Sequence, residues 1–428
     1  MGSDRPFRLM IVAGEASGDL HASHLVAALR RRRPDLVAYG FGGERMAAAG
    51  VELAARLTDH QAIGYFEILR ALPAGAYHYW KAARMLDQRR PDALVVVDFP
   101  TFNVPLAERA CQRKVPVYYF IPPKVWGWKS ERAPRIARAS TKVFAIFPFE
   151  PDYFTRSGGR AFYFGHPLVD FVRPSVPRPE FRARHGWNSE RPLVTLLPGS
   201  RRQEIAAMLT IYLEVARRLS DRGLAAQFAI PRAHTVPREW LEEPLASPAF
   251  ASLAVRILDE GIHDCLAAST LALATCGTVT LEAAICGCPM VISYNAGVLT
   301  RWLFRGRHRF TYFGLPNIVA GREICPERVG EAADPETLFE TAAGLLSDPQ
   351  ALATQREELR AVTARLGEPG VFDKVAAEIL RAESSPHVET VTDSATGAGP
   401  GPGATPGLAP REAGPDFADS TADGNRPG

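Results

Sequence analysis

Short, almost uninterrupted apolar runs alternate with longer segments rich in Ala, Arg and Leu along most of this chain. Strands without polar alternation are typical of parallel sheets that are covered on both faces, and the longer segments have the composition of helices. The pattern predicts an α/β protein with doubly wound parallel sheets. The predicted strands are Arg8–Ala13, Ala93–Val97, Val115–Phe120, Lys142–Phe147, Leu193–Leu197, Ala226–Ile230, Leu271–Ala274 and Met290–Ser293.

The same opening occurs twice, 184 residues apart. Leu9–Ala13 runs into a glycine loop and a helix, and Leu193–Leu197 does the same. Between them, Pro174–Arg191 is rich in Pro and charge. The chain therefore predicts two similar domains, with a cleft between them as the ligand site. The expected boundaries are an N-terminal domain over 1–173, a second domain over 190–355, and C-terminal helices over 356–383 that can pack back on the first domain.

The last part of the chain differs in composition from the rest. Of the 45 residues in 384–428, 31 are Gly, Pro, Ser, Thr or Ala, which predicts a disordered tail. The formal charge of the whole chain is +3, and the tail contributes −4. The remaining residues therefore carry +7. A charge of that size disfavours a nucleic-acid binder and fits anionic small molecules or an anionic membrane face.

The spacing of the cysteines and the composition of the N-terminus indicate the cellular compartment. The six cysteines show neither a CxxC pair nor zinc-ligand spacing, which favours free thiols in a reducing environment. No signal peptide is evident, and the weakly charged stretch Leu271–Tyr294 contains Gly, Pro and Glu, as a strand–turn–helix unit does. We therefore expect a cytoplasmic protein without a transmembrane helix.

Two glycine loops of the second half have the composition of phosphate-binding turns. Gly199, Ser200 and Arg201 follow one predicted strand, and Gly277 and Thr278 follow another. Glu282, one turn into the next helix, can take ribose hydroxyls. Together they indicate a nucleoside diphosphate site, although ordinary strand-to-helix turns use glycine as well. Neither GxxxxGK[ST] nor GxGxxG occurs, which disfavours a P-loop enzyme or a conventional dinucleotide enzyme.

The first half carries acidic groups instead. Glu15, Ser17 and Asp19 lie in its glycine loop, where carboxylates repel phosphate, so the loop binds hydroxyls or caps a helix. Asp98 ends a buried strand, at the sheet edge that faces ligands in open α/β sheets. With Phe99 beside it to raise its pKa, Asp98 is a candidate general base. The alternative is an Asp that initiates a turn before Pro100.

Three stretches interleave aromatic and basic side chains. They are 63–86, 125–138 and 301–310. Rings at headgroup depth with cations near anionic lipid predict contact with a membrane surface. Packed helix faces with solvated Arg, or a stacking surface for RNA, are the alternatives.

Ten motifs in register resemble the lipid-A-disaccharide synthases. They run in order from residue 8 to about 380 and leave only the tail outside. The matching stretches are AGEASGDLHA (13–22), YGFGGERMAAAGVE (39–52), IGYFEIL (63–69), VVVDFPTFN (95–103), IPPKVWGWKSERAPRI (121–136), FPFEPDYF (147–154), FGHPLVD (164–170), LLPGSRRQEI (196–205), TCGTVTLEAAICGCPMVISY (275–294) and LPNIVAGREICPE (315–327).

The resemblance implies an inverting glycosyltransferase of the GT-B architecture, in which two Rossmann-like domains face each other across a cleft. It would join UDP-2,3-diacylglucosamine to 2,3-diacylglucosamine 1-phosphate at the cytoplasmic face of the inner membrane in a Gram-negative bacterium. No D-x-D motif occurs, so neither a metal nor another cofactor is expected. An oligomer is compatible with the resemblance, and a nucleic-acid partner is not expected.

The resemblance also implies residue roles. Asp98 would be the catalytic base, and Glu15, Ser17, Asp19 and Asn103 would line the acceptor side. The donor side would comprise Gly199, Ser200, Arg201, Gly277, Thr278, Glu282, Asn317 and Arg322. The chain departs from the family pattern at Lys124, which stands where a small or polar residue is more usual. The alternatives are another UDP-sugar enzyme of this fold, of the epimerase or peptidoglycan-transferase type, and a non-catalytic binder of lipid or nucleotide.

Overall fold

A parallel sheet of seven strands forms the first half of the protein. The computed structural model describes residues 5–57, 65–126, 131–224, 227–295 and 311–381. The strand order is β3-β2-β1-β4-β5-β6-β7, and every neighbouring pair is parallel. The strands are β1 (Arg8–Ala13), β2 (Val37–Gly42), β3 (Glu52–Arg56), β4 (Ala93–Val97), β5 (Val117–Phe120), β6 (Lys142–Ala145) and β7 (Ala161–Tyr163).

A second parallel sheet, of six strands, forms the second half. Its order is β10-β9-β8-β11-β12-β13, so the first strand of each half lies inside its sheet. Its strands are β8 (Leu193–Leu197), β9 (Gln227–Pro231), β10 (Val255–Leu258), β11 (Leu271–Thr275), β12 (Met290–Tyr294) and β13 (Glu327–Val329). Two Rossmann-like parallel sheets are the α/β arrangement that the apolar runs predict.

Helices connect the strands and cover both sheets. Those before the second sheet are α1 (Ala16–Arg32), α2 (Glu44–Ala48), α3 (Tyr65–Arg89), α4 (Pro100–Gln112), α5 (Arg132–Ala139), α6 (Glu150–Thr155) and α7 (Arg178–Arg184). The later helices are α8 (Arg202–Asp221), α9 (Glu239–Leu245), α10 (Ile262–Ala268), α11 (Val279–Ile285), α12 (Leu315–Ala320), α13 (Pro335–Ser347), α14 (Pro349–Arg365) and α15 (Val371–Arg381). None of the described helices is both long and apolar enough to cross a bilayer.

The central strands are predicted more accurately than the edges. β1, β4 and β8 have the predicted bounds, because all of their residues except Arg8 and Thr195 are apolar and buried. Five strands were not predicted: β2, β3, β7, β10 and β13. Four of them are short or partly exposed, and β2 contains two glycines, so their apolar signal is weak. At Gly40 an added Cβ would lie 1.9 Å from the Ile11 carbonyl oxygen, so the close approach of β2 to β1 requires glycine.

The region between the two sheets is more ordered than its composition predicts. Residues 174–191 contain α7, whose Phe181 packs with Trp187 and Leu193 in a core cluster of the second half. Buried Asp264 accepts hydrogen bonds from Ser175 N at 2.5 Å and from Val176 N at 2.9 Å. These contacts attach the connecting segment to the second half.

The C-terminal helix returns to the first half. Val371, Phe372 and Val375 of α15 belong to the same core cluster as β1 and α1. Lys142 of β6 forms a buried ion pair with Glu378, with the Nζ–Oε1 distance at 2.6 Å. The chain thus crosses back after the second sheet, and its last described helix completes the first core. The tail 384–428 and the basic stretch 301–310 lie outside the described residues.

The two halves meet through a mixed apolar cluster. Phe147 and Leu168 from the first half pack with Leu281, Leu315 and Val319 from the second. All of the described residues lie in one compact unit. This cluster joins the loop after β6 to α11 and α12, which brings the carboxyl edge of the first sheet close to the second half.

Candidate active site

Asp98 lies immediately after β4 in a strained backbone conformation. Both Asp98 and Phe99 have left-handed φ values, 45° and 46°, although neither is glycine. The Asp98 carbonyl oxygen accepts hydrogen bonds from the Tyr119 hydroxyl and from Asn103 Nδ2, each at 2.9 Å. Strain of this kind persists only where the surrounding structure enforces it, and it is concentrated at functional positions. The fold therefore holds the Asp98 backbone in one conformation.

The surroundings of Asp98 favour its neutral form. Burial, the largest cause, and the negative charge of Glu15 together raise the pKa of its carboxyl group from 3.8 to about 6. The Phe99 backbone N–H and the Lys124 ammonium group lower the pKa and offset part of this effect. Phe99 itself stacks on Phe102, with the ring centroids 5.6 Å apart. A carboxylate with a pKa near 6 can accept a proton from a hydroxyl group at neutral pH.

Asp19 and Asn103, predicted on the acceptor side, support the local backbone. The buried Asp19 carboxylate accepts hydrogen bonds from Gly43 N at 2.7 Å, Arg45 N at 3.0 Å and Met46 N at 3.1 Å. Asp19 therefore caps the N-terminus of α2. This agrees with the alternative that the acidic loop caps a helix, but the capped helix is α2 and not α1, which contains Asp19. Asn103 is fully buried, and its Nδ2 bonds to the carbonyl oxygens of Val97 and Asp98.

Glu15 and Ser17 stand at the start of α1. Glu15 is the residue before the helix and is half-buried, and Ser17 is exposed. Glu15 is near enough to Asp98 to shift its pKa. Of the four predicted acceptor residues, Glu15 is thus linked to the candidate base by charge and Asn103 by a direct hydrogen bond. Direct contact of any of the four with a substrate stays a prediction.

The loop between β8 and α8 already holds an anionic group. The Glu204 carboxylate accepts hydrogen bonds from Ser200 N at 3.2 Å and Arg201 N at 3.3 Å, and it pairs with Arg201 Nη1 at 2.9 Å. Gly199 has a φ of 107°, and a Cβ there would lie 2.7 Å from Glu204. The loop can therefore bind an anion, and a phosphate that uses the same N–H groups must compete with Glu204.

The loop between β11 and α11 is open. Among the described residues, the chain neighbours apart, no heavy atom lies within 4 Å of the position that a Cβ on Gly277 would take, and Thr278 is exposed. The Glu282 carboxylate lies 3.1 Å from His263 Nε2, and its side chain keeps 20% of its surface exposed. The structure thus places Gly277, Thr278 and Glu282 on one short segment with accessible polar groups, as a nucleotide-binding loop requires.

Asn317 and Arg322 have partners within the protein. The fully buried Asn317 donates to Cys325 O and Glu327 Oε1, both at 2.7 Å, and its Oδ1 accepts from the Ile324 and Cys325 backbone N–H groups. Arg322 pairs with Glu358 of α14. Asn317 therefore fixes the segment around α12, and Arg322 is directed to α14. Their predicted donor-binding roles stay predictions.

Comparison with known proteins bears on the family. Residues 9–375 match the sequence model of the family described as lipid-A-disaccharide synthetase. The chain belongs to the lipid-A-disaccharide synthase family. It is 38% identical over 373 residues to the lipid-A-disaccharide synthase of Anaeromyxobacter dehalogenans (strain 2CP-C), covering 87% of this chain and 97% of that one. Identity to the enzyme of Geobacter metallireducens is 36% over 380 residues, covering 89% and 98%.

Solved structures of other enzymes share the fold of this synthase family member. The S. aureus MnaA–UDP structure superposes with a TM-score of 0.61 at 12% identity and covers 88% of this chain and 97% of that chain. The UDP-GlcNAc 2-epimerase of Neisseria meningitidis, bound to UDP-GlcNAc, gives a TM-score of 0.55 at 10% identity and covers 89% and 99%. At such low identity these likenesses concern the fold alone, and they confirm the GT-B architecture. The resemblance to lipid-A-disaccharide synthases is confirmed, and the chain is a glycosyltransferase of lipid A biosynthesis.

Several residues around the site of this synthase family member were not predicted. Tyr119 supports Asp98, Glu204 occupies the α8 loop, and His263 contacts Glu282. Glu204 was detectable as an acidic residue in the first turn of a predicted helix, where a carboxylate is stabilised by the backbone N–H groups. Tyr119 and His263 were not, because their contacts join strands and helices that are distant in sequence.

Proposed function

We propose that this chain transfers 2,3-diacylglucosamine from UDP-2,3-diacylglucosamine to the 6-hydroxyl of 2,3-diacylglucosamine 1-phosphate. The products are a β-1′,6-linked disaccharide 1-phosphate and UDP. The observation that carries the proposal is the strained, half-buried Asp98 at the carboxyl edge of the first sheet, with a pKa of about 6. Membership in the lipid-A-disaccharide synthase family provides the reaction class.

In the proposed reaction, Asp98 acts as the general base. A sugar hydroxyl is a weak nucleophile, so its proton must leave as the new bond forms. The acceptor oxygen attacks C1 of the donor sugar, the bond between C1 and the phosphate oxygen breaks, and the anomeric configuration inverts. The proton passes to Asp98, and the bonding electrons leave with UDP. At pH 7.5 a carboxyl group with a pKa near 6 is almost entirely ionised, as this role needs.

The second half is proposed to hold the nucleotide. Gly277 and Thr278 would approach the diphosphate, and Glu282, supported by His263, would accept ribose hydroxyls. Arg201 would face the diphosphate or the sugar once Glu204 releases it. Charge that develops on the departing diphosphate is thereby stabilised by groups arranged in advance. We propose that no divalent ion takes part, because the chain lacks a D-x-D motif.

The acyl chains of both substrates imply a membrane surface, and we propose that the protein binds one peripherally through α3. Tyr77 and Trp80 are each 58% exposed on this helix. Arg84 stacks on Trp80, with its guanidinium carbon 5.4 Å from the ring centroid. Spacings of three and four residues put these side chains on one helix face, where two rings and a cation suit an anionic bilayer.

Sedimentation with lipid vesicles tests the membrane contact. Replacing Tyr77 and Trp80 together by Ala should weaken binding to vesicles that contain phosphatidylglycerol. The matched control is Tyr153→Ala, because Tyr153 is an exposed ring on α6. Equal binding by the double variant and this control would reject the assignment of α3.

Product analysis tests the reaction itself. Purified protein is mixed with UDP-2,3-diacylglucosamine and the monosaccharide 1-phosphate in detergent with EDTA, and the lipid products are identified by mass spectrometry. The proposal predicts a tetraacyl disaccharide 1-phosphate that needs both substrates and resists EDTA. A product formed from UDP-N-acetylglucosamine, and none from the acylated donor, would favour another UDP-sugar enzyme of this fold.

A further inference from the structure

The segment after β5 brings a lysine to the edge of the sheet beside Asp98. β5 is the neighbour of β4, and Lys124 lies four residues beyond its end. The segment is fixed on both sides of this lysine. The Ile121 N–H bonds to the Phe144 carbonyl at 3.1 Å, and the Trp126 indole Nε1 donates to Glu150 Oε1 at 2.8 Å. Lys124 therefore has a defined place in the fold.

This place is where the two halves of the protein meet. Trp126 packs edge-on against Phe147 and Phe149, with centroid distances of 5.9 Å and 5.0 Å. It lies against the mixed apolar cluster that contains Leu281 of α11 and Leu315 of α12. Lys124, two residues before Trp126, is near enough to Asp98 of the first half and to Cys276 of the second half to interact with both electrostatically.

Lys124 has no direct ion-pair partner among the described residues. Burial lowers the pKa of its ammonium group, and the nearby carboxyl groups of Glu150 and Asp98 partly offset that effect. The Cys276 thiol is also close enough to interact with Lys124, although burial raises its own pKa to about 12 and so keeps it neutral. Cys276 directly precedes Gly277, so the lysine is close to the open loop of the second half. Within the described part of the chain, Lys124 forms neither an ion pair nor a hydrogen bond, and solvent reaches its side chain.

Neither nearby carboxylate on the described part of the first half forms an ion pair with Lys124. Both Glu150 oxygens are occupied, one by Trp126 and the other by the Ile146 and Phe147 backbone N–H groups. Asp98 is influenced by Lys124 less than by burial or by Glu15. A cation that has no direct ion-pair partner and is accessible to solvent can bind an anionic group of a ligand.

We propose that Lys124 binds a phosphate oxygen of a substrate at the junction of the two halves. The inference rests on the proposed function, whose substrates carry phosphate in two places: the diphosphate of UDP and the 1-phosphate of the acceptor. Both present the same chemistry to an ammonium group. If the phosphate is that of UDP, Lys124 also stabilises the charge that remains on the nucleotide when the bond to C1 breaks.

The test compares each ligand with its counterpart that lacks phosphate. Calorimetry on the full chain measures the binding of UDP and uridine, and then of 2,3-diacylglucosamine 1-phosphate and 2,3-diacylglucosamine in detergent. The variants are Lys124→Met, Lys124→Arg and the control Lys114→Met, which removes an exposed lysine ten residues earlier. In one of the two pairs, Lys124→Met should weaken binding of the phosphorylated ligand about tenfold and leave its counterpart unchanged.

Each outcome has a defined meaning. A selective loss with UDP assigns the nucleotide phosphate, and a selective loss with the monosaccharide assigns the acceptor phosphate. Lys124→Arg should keep most of the affinity, because it keeps the charge. If Lys124→Met and Lys114→Met bind all four ligands with the same affinity, the proposal is wrong. A change in the pH dependence of the rate in Lys124→Met would not rescue it. These binding measurements need no turnover, so an inactive wild type would refute the proposed function and would leave this test intact.

Discussion

Replacing Asp98 by Asn should make the protein more stable as well as inactive. The native carboxyl group has a pKa of about 6, against 3.8 for an ordinary Asp. Between these values the native state keeps the proton and the unfolded chain releases it. The free energy of unfolding therefore falls as the pH rises through this window. Asn carries no charge, so this decrease in the free energy of unfolding does not occur in the variant.

The size of the effect depends on pH in a calculable way. Linkage with these two pKa values gives a destabilisation by Asp98 of about 0.5 kcal/mol at pH 4, about 1.6 kcal/mol at pH 5 and about 3 kcal/mol at pH 7.5. These values are upper bounds, because solvent reaches part of the side chain. Asp98→Asn should raise the free energy of unfolding by most of this amount at each pH, because Asn can still accept the hydrogen bond from the Phe99 backbone N–H.

Urea unfolding followed by tryptophan fluorescence measures the free energy of unfolding of wild type and variant at pH 5 and at pH 7.5. The control is Asp152→Asn, an exposed carboxylate on α6 that should change little. The kcat of Asp98→Asn should fall by at least about a hundredfold, with UDP binding retained. A variant that is less stable than wild type at pH 7.5, or stabilised equally at the two pH values, would refute the origin assigned to the raised pKa.

Four further expectations follow from the same contacts. Glu15→Gln removes a negative charge that raises the pKa of Asp98, so the acid limb of kcat/KM should move to lower pH and remain above pH 4, because burial is the larger cause. Tyr119→Phe removes the hydroxyl that holds the Asp98 carbonyl, and kcat should fall about tenfold while the Kd of UDP, measured by calorimetry, stays constant. Glu282→Ala should raise the KM of the donor about tenfold and leave the acceptor KM unchanged, and an unchanged donor KM would reject its ribose role. Deleting 384–428 should leave steady-state activity near that of wild type, whereas a large loss would give the tail a function.

Interior strands were predictable because burial on both faces excludes polar residues. Leu9–Val12 and Leu94–Val97 are wholly apolar, and no other element explains such short runs. Edge strands have no such requirement: Glu52–Arg56 and Glu327–Val329 begin or end with charged residues and have partly exposed faces. Their strand conformation depends on pairing with a neighbour that is distant in sequence, so local composition does not reveal it.

The site was predictable in its chemistry and less so in its contacts. Asp98 was identifiable because a carboxylate after an apolar strand is unusual. Asp19 has equally suggestive surroundings in the sequence, yet its carboxylate binds the backbone N–H groups of a helix that begins 25 residues later. Whether a carboxylate caps a helix or faces a ligand depends on tertiary packing, which residue type and spacing do not encode.

The pH dependence of kcat/KM for acceptor-dependent UDP release tests the catalytic role of Asp98 most directly. The full-length protein is assayed with both acylated substrates in detergent and EDTA from pH 4.5 to pH 8.5. We expect an acid limb that is half-maximal near pH 6 and falls about tenfold for each lower pH unit, because only ionised Asp98 can accept the proton. A rate that stays constant between pH 5 and pH 7 would contradict the assignment of Asp98 as the catalytic base.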